Sequence, residues 1–444
     1  MLRSCLSISL VLVLHMVFIS PATSKTEKIK PNFILIFADD LGYGDLGCYG
    51  AGMIKTPNLD RMASEGMQFT SFYSCAPVCT PSRAGLLTGR YTIRSGLNRV
   101  LFPYSMDGIG QEEVTLAEAL KDCGYSTACI GKWHLGHLPE YLPTRHGFES
   151  YFGIPYCNDM QNNQRGDPPL PLMRDETIIE QPADQNTLTK RYTEEAVRFI
   201  DTHKERPFFL YLPHTMVHVP LHVSKEFEGH SAQGLYGDAV EEVDWSVGQV
   251  LEAVKRNGLD KNTLVIFTSD NGPWLVKKEH GGSAGPLRNG KGTTFEGGVR
   301  EPAIFRWEGT IPAGTNTSEP AITLDLFPTL LLLAGGEVPR DRVIDGKDIR
   351  GILTGTGHRE DHRFYYFRGE SLEAFRSENW KLKRAFKGEI YGEPGDHPVY
   401  LFDLEKDLGE KTNLAEQHPD RVQQMEKEMQ AFEQSLGTVP PTKK

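Results

Sequence analysis

Five stretches of the chain are apolar at successive positions: Asn32–Ala38, Ser126–Ile130, Pro207–Leu212, Thr263–Thr268 and Pro302–Trp307. A strand with one wet face alternates polar and apolar side chains. Runs that do not alternate predict strands covered on both faces, as in a parallel sheet. Polar residues gather directly after four of the five: Asp39-Asp40, then Gly131-Lys132-Trp133-His134, then His214 and His218, then Ser269-Asp270-Asn271. Between the runs the apolar period lengthens to that of a helix. Thr56 and Pro57 open one around Leu59, Met62 and Ala63, with Gly66 after it, and Thr115 with Glu118 forms a capping box for another that stops at Gly124. Tyr192, Ala196, Val197 and Ile200 mark a helix over about 188–203, and Val240, Val243, Val247, Val250, Leu251 and Val254 mark one stopped by Gly258. Strands alternating with helices predict an α/β sandwich, a large and mostly parallel sheet flanked by helices. Such sheets bind ligands beyond the carboxyl ends of their strands. The four polar clusters fall at those ends, so they are expected to converge on one site.

The texture changes after Asp345-Gly346-Lys347. Thr354-Gly355-Thr356-Gly357 reads as a linker, and Arg363–Arg368, Trp380–Arg384 and Val399–Leu404 read as short strands of an antiparallel sheet. Residues from about 419 to 436 form a charged amphipathic helix whose Val422, Met425, Met429 and Phe432 share one face and read as core packing. The expected division is therefore a catalytic domain over 25–355 and a smaller α+β unit over 356–444. Residues 1–24 have the form of a cleaved signal peptide: Arg3, an apolar stretch from Leu6 to Ile19, then Ala22-Thr23-Ser24. The apolar stretch is short for a membrane span and His15 breaks it. With no later transmembrane run, no membrane span is expected after cleavage. Export to a secreted, periplasmic or lysosome-like compartment follows, according to host.

Composition narrows the partners. Among 444 residues the net charge is −11, and no basic run offers a surface for nucleic acid. Any anionic substrate must meet local positive charge. The cysteines are Cys5 in the leader and Cys48, Cys75, Cys79, Cys123, Cys129 and Cys157 beyond it, neither a disulfide-dense scaffold nor a zinc ribbon. Asn316-Thr317-Ser318 is a glycosylation acceptor in a eukaryotic secretory host.

Two groups of residues carry candidate chemistry. Cys79 stands at a helix start, where Thr80 can cap, Pro81 fits the first turn, and Ala84, Leu86 and Leu87 form the apolar side. A helix N-terminus favours anions, and Arg83 adds a planar fork of donors. This suits a nucleophile facing an oxyanion, although a cysteine so placed also serves as a small buried hydrophobe. Asp39, Asp40, Asp270 and Asn271 are hard oxygen ligands, suited to Ca²⁺ or Mg²⁺ rather than zinc, with flexible carboxylate geometry favouring Ca²⁺.

The twelve residues C-T-P-S-R-A-G-L-L-T-G-R from Cys79 to Arg90 resemble the signature of the type I sulfatases, in which the cysteine is oxidised to formylglycine. F-A-D-D-L-G-Y-G-D-L, T-S-D-N-G, G-K-W-H-L-G and G-K-G-T-T-F-E-G-G-V-R-E-P resemble the family's other motifs. The resemblance covers nearly all of residues 31–350 and implies an alkaline-phosphatase-like sandwich with a smaller C-terminal antiparallel sheet and helix. It implies Ca²⁺ held by Asp39, Asp40, Asp270 and Asn271, and a formylglycine at Cys79 whose hydrate attacks sulfur to give a covalent sulfated intermediate. Arg83 would hold the hydrate, Lys132 would bind nucleophile and sulfate, Lys291 would bind sulfate, and His134 would act on the hydroxyls. His218 is the expected residue at the leaving group, with His214 the second choice. A formylglycine-generating or anaerobic sulfatase-maturing enzyme would then be a partner, and five thiols, an odd number, would remain.

Through G-I-P-Y, L-R-x-G-K-G-T-T and D-L-F-P-T-L the chain is most similar to the arylsulfatase A and N-acetylgalactosamine-6-sulfatase group. It departs at Cys157-Asn158-Asp159, where arylsulfatase A has a serine and then a histidine. The expected substrate is an aryl or, in nature, a carbohydrate sulfate ester: a small molecule or a sulfated glycan. Two alternatives stand: a phosphonate or phosphate monoester hydrolase of the same superfamily, and a non-catalytic sulfated-glycan binder if Cys79 is never converted.

Overall fold

The computed structural model describes residues 30–161, 165–390 and 393–437, so the expected signal peptide at 1–24 lies outside the described residues. Eleven strands form the large sheet: β1 Asn32–Ala38, β2 Met67–Tyr73, β3 Ser126–Ile130, β4 Ser150–Gly153, β5 Leu172–Arg174, β6 Thr177–Glu180, β7 Phe208–Pro213, β8 Thr263–Ser269, β9 Arg300–Arg306, β10 Thr315–Thr317 and β11 Ala321–Ile322. Their order is β10-β2-β9-β8-β1-β7-β3-β4-β5-β6, with β11 also on β2. The strands β8-β1-β7-β3-β4 run parallel, and Leu35 of β1 pairs with Tyr211 on one side and Ile266 on the other. β9 is antiparallel to both its neighbours, β2 and β8. Its apolar run reports burial on two faces, which does not depend on strand direction.

Successive side chains of β1 point to opposite faces, and each face has its own core. Ile34, Ile36 and Ala38 join Leu59 and Met62 of α1 (Pro57–Ser64) and the helices α4 (Leu188–His203) and α5 (Gly234–Arg256). Phe33, Leu35 and Phe37 pack with α2 (Cys79–Thr88), α3 (Leu116–Asp122) and, beyond the single turn α6 (Glu296–Val299), with α7 (Leu326–Leu333). Each such Val, Leu or Phe buried outright contributes about 1.5–3 kcal/mol relative to exposure. The five valines of α5 named above are all at most 2% exposed. The capping box at Thr115 and Glu118 forms as the sequence predicts. Thr56 occupies its cap position, but its hydroxyl accepts from the Gly47 N–H and donates to the Asp60 side chain of α1 instead of capping a free helix N–H.

After the short turn α8 (Arg350–Leu353), the C-terminal region forms an antiparallel sheet of β12 (Arg363–Arg368), β13 (Ser371–Ser377), β14 (Trp380–Lys383) and β17 (Tyr400–Asp403), with a hairpin of β15 (Phe386–Ile390) and β16 (Glu393–His397) before the last strand. Met425 and Met429 of α9 (Pro419–Ser435) pack on Phe364, Phe375 and Leu401, in one cluster with Tyr73 and Ile322 of the large sheet. Buried charges cross the same junction: Lys381 Nζ lies 2.8 Å from Glu296 and 3.0 Å from Glu410, and the Tyr73 hydroxyl donates to Glu296 at 2.7 Å. Among the described residues all six cysteines are free.

Candidate active site

β1 and β8 are adjacent and in register, with Ala38 opposite Ser269, so the two acidic pairs leave the sheet at one edge. The Asp40 N–H donates to Asp270 Oδ1 at 3.1 Å, and Asn271 Nδ2 donates to Asp40 Oδ1 at 2.8 Å. Asp40 takes φ of 56° to make that turn. None of the four is more than 3% exposed.

The other segments arrive from neighbouring strands and from α2. Lys132 follows β3, its N–H bonded to the Pro213 carbonyl at the end of β7, and its ammonium pairs with Asp39. Arg83, one turn into α2, sets NH2 2.7 Å from Asp270 and 3.4 Å from Asp39, and NH1 donates to the Lys132 carbonyl at 3.2 Å. Lys291 Nζ lies 2.7 Å from Asp40, and the Gly292 N–H bonds the Pro77 carbonyl, fastening this loop to the entry of α2. Cys79 is the first residue of α2 and is 2% exposed. The cap is Val78, not Thr80: the Thr80 hydroxyl donates to the His134 carbonyl at 3.0 Å and accepts from the Leu101 N–H at 3.2 Å, which fixes α2 to two other segments of the site.

The two candidate histidines separate. His214 is wholly buried, with Nε2 3.2 Å from Ser246 of α5 and its ring against Tyr192, and burial holds it down at about 4. His218 reaches the acidic cluster, with Nε2 3.6 Å from Asp40 and Nδ1 2.5 Å from the Val219 carbonyl. His134 is also buried, Nε2 lying 2.9 Å from the Leu101 carbonyl and Nδ1 having no hydrogen-bond partner.

Three carboxylates thus face three cations in a largely buried pocket. Burial would push Asp39 up, yet Lys132 and Arg83 hold it well below the usual carboxylate range. Burial and the facing Asp39 carboxylate push Asp270 up. Burial lowers Lys291, and Asp40 more than offsets this, leaving it above its ordinary value. Burial and the neighbouring Lys132 hold His134 well below the imidazole range, so it is neutral. Burial raises the Cys79 thiol even with Lys132 and Lys291 nearby. As encoded, then, Cys79 is a neutral thiol and a weak nucleophile.

A divalent cation suits the acidic edge. Asp39 Oδ1 and Asn271 Oδ1 are buried and without a hydrogen-bond partner. An orphaned buried acceptor costs about 1–3 kcal/mol. A hard cation coordinated through oxygen removes that cost, and the donor set is all oxygen.

Two neighbours escaped sequence reasoning as parts of the site. Cys157 Sγ accepts from Lys132 Nζ at 3.1 Å and lies 3.4 Å from His218 Nε2, and in the sequence it shows only as a departure from a motif. The Trp274 ring centroid is 5.5 Å from that of His218 and 4.6 Å from Lys291 Nζ, with no signal beyond being an aromatic residue after Asp270-Asn271.

Residues 31–336 match the sulfatase family as a whole. The chain is 46% identical over 364 residues to the N-acetylgalactosamine-6-sulfatase of Rattus norvegicus, covering 78% of this chain and 69% of that protein. It is 43% identical over 423 residues to the arylsulfatase A of Bos taurus, covering 86% and 83%. Among solved structures, Ps i-CgsB in complex with k-i-k-neocarrahexaose is similar at a TM-score of 0.82 and 31% identity, covering 93% of this chain and 94% of that one. A family match over most of the chain, and relatives identical at nearly half of the aligned positions, make this protein a member of the sulfatase family, an enzyme that hydrolyses sulfate esters.

Proposed function

We propose that the natural substrate is a carbohydrate sulfate ester, that Cys79 works as formylglycine, and that Asp39, Asp40, Asp270 and Asn271 hold Ca²⁺. The observation that carries this reading is the meeting of Arg83, Lys132 and Lys291 with orphaned carboxylate and amide oxygens beside the first turn of α2. Formylglycine at position 79 would supply a hydrated aldehyde, with one hydroxyl as the nucleophile for sulfur and a second that would let the aldehyde be restored. Ca²⁺ supplies fixed positive charge to the sulfate oxygens.

The chain's own side chains do the rest. Arg83 and Lys132 hold the nucleophilic group and, with Lys291, surround an anion that water would otherwise shield; such preorganised charge is the usual main source of rate. His134 Nε2 is committed to the Leu101 carbonyl, so Nδ1 is the atom that accepts a hydroxyl proton. His218 Nδ1 is committed to the Val219 carbonyl, so Nε2 is the atom that protonates the departing alcohol oxygen. The domain division at residue 355 and an exported location complete the proposal. Among the described residues no helix is long and apolar enough to cross a membrane.

Both curated relatives above are named sulfatases, which favours sulfate over phosphate or phosphonate esters. A carrageenan-like oligosaccharide in the similar structure supports a glycan substrate. Mass spectrometry of the peptide spanning residues 75–90 should find an aldehyde in protein from a host with a maturation enzyme. Cys79→Ala should abolish turnover of a sulfate ester while circular dichroism stays native. A thiol in active protein, or substantial turnover by the alanine variant, would overturn the assignment, and faster hydrolysis of the matched phosphate ester would move the substrate class.

A further inference from the structure

Three side chains of another chemical kind meet beside the oxygen cluster. Cys157 Sγ, a carboxylate oxygen of Asp159 and a ring nitrogen of His218 lie within 4.8 Å of one another. Cys157 and His218 are buried, and Asp159 Oδ1 is a buried oxygen without a hydrogen-bond partner. The loop that carries Cys157 is pinned where it leaves β4, through Gly131 N–H to the Phe152 carbonyl at 2.8 Å and Trp133 N–H to the Ile154 carbonyl at 3.0 Å. His218 Nδ1 bonds the Val219 carbonyl, and the sulfur lies beside the ring, 3.4 Å from Nε2 and 3.5 Å from Nδ1, so a turn of the imidazole is needed to bring the Nε2 lone pair onto a metal shared with the sulfur. Tetrahedral zinc with bonds of about 2.0–2.3 Å sets neighbouring donors roughly 3.3–3.8 Å apart, so sulfur and nitrogen already stand at a ligand spacing.

We infer that Cys157, Asp159 and His218 form a second cation site, selective for Zn²⁺ and similar borderline-soft dications, whose occupation stops sulfate hydrolysis. One sulfur, one imidazole and one carboxylate match zinc and disfavour Ca²⁺, which wants oxygen alone. Binding releases the thiol proton to solvent and forms bonds from sulfur, nitrogen and oxygen to the metal, with a fourth position left for water. Lys132 Nζ, 3.1 Å from the sulfur, supports the thiolate and repels the metal, though its charge is shared with Asp39. The inhibition rests on the proposed role of His218, because the metal occupies the Nε2 atom that would protonate the leaving group. The binding rests on the geometry alone.

The test keeps these apart. In excess Ca²⁺, Co²⁺ is titrated into the full chain carrying Cys79→Ser, which removes the other nearby thiol. A thiolate-to-cobalt charge-transfer band with tetrahedral visible bands is expected. Adding Cys157→Ser should abolish the band, and Asp159→Asn should weaken Co²⁺ binding at least about tenfold, the low end of what losing even an outer partner of a metal site costs. Zn²⁺ added to matured, Ca²⁺-loaded enzyme should reduce turnover reversibly, at concentrations that rise at least about tenfold in Asp159→Asn, each protein being compared with its own zinc-free rate. An oxygen-only octahedral spectrum, or a band that survives Cys157→Ser, would overturn the site. A normal band with undiminished turnover would overturn the inhibition and with it the role of His218, leaving the sulfatase assignment untouched.

Discussion

At His218 one ring nitrogen is committed to a backbone carbonyl and the other faces the acidic cluster, which makes its proposed role separable from its neighbours'. A sugar alkoxide leaves far less readily than a nitrophenolate and needs its proton more. His218→Ala should slow a sulfated sugar by about 10²–10⁴-fold, the usual contribution of a general acid, and a nitrophenyl sulfate much less. Measured kcat on both substrates checks this, and equal losses would make His218 an anion binder. Residues of this kind were legible where they sit in chemistry-bearing motifs directly after apolar runs. Asp39, Asp40, Lys132, His134, Asp270 and Asn271 all do. Choosing between His214 and His218 from sequence rested on motif alignment, whereas the structure separates them by what they touch: Ser246 on a packed helix against Asp40 at the sheet edge. The contacts of Cys157 were invisible because they depend on where the loop after a four-residue strand is pinned.

Elements were readable in proportion to how regular their burial is. The five uninterrupted runs became β1, β3, β7, β8 and β9, and the valine series became α5. β2 was missed: a register shift between Phe69 and Phe72 breaks its period of two, so neither alternation nor a continuous run survives. β4, β5, β6, β10 and β11 span two to four residues each, too few for any period to show. Capping illustrates the same limit. The Thr115–Glu118 box is closed by local chain alone, whereas the Thr80 hydroxyl goes to the distant His134 carbonyl and the Thr56 hydroxyl to the Gly47 N–H and the Asp60 side chain, neither of them a cap. Thr115→Ala removes the cap and a 2.8 Å bond to the His146 carbonyl. It should cost about 1–2 kcal/mol in urea unfolding while kcat is unchanged, since α3 carries no residue of the site.

On the scale of the whole molecule, two kinds of charge set stability. Three carboxylates crowd the sheet edge, and a cation bound there stabilises the native state alone. Ca²⁺ at a hundredfold excess over its Kd would be worth about 2.7 kcal/mol, so chelation should lower both Tm and activity, and Ca²⁺ should restore both. Zinc held stoichiometrically by the four oxygen ligands would contradict that assignment. The second charge lies at the seam to the C-terminal sheet, where His362 sits 2.7 Å from Glu319 and 2.9 Å from Glu378 just before β12. Burial opposes the protonated ring, but these carboxylates outweigh it and raise its pKa above 6.5. The folded protein therefore binds this proton more tightly than the unfolded chain. Its stabilisation is complete below about pH 6.5 and is lost as pH rises through the folded value. The Tm difference between wild type and His362→Gln should shrink across that interval, and a difference constant with pH would exclude the coupling. The burial of Cys79, finally, fixes an order of events in time. Its neighbours come from segments reaching to Lys291, so the pocket closes over it only when most of the chain has been made and folded. On the proposed conversion of Cys79, a maturation enzyme would have to act on the nascent strand, guided by nearby sequence rather than by the finished shape. A molecule that folded before that visit would be locked out of activity for its lifetime, and the specific activity of a preparation would then record how synthesis and modification were paced.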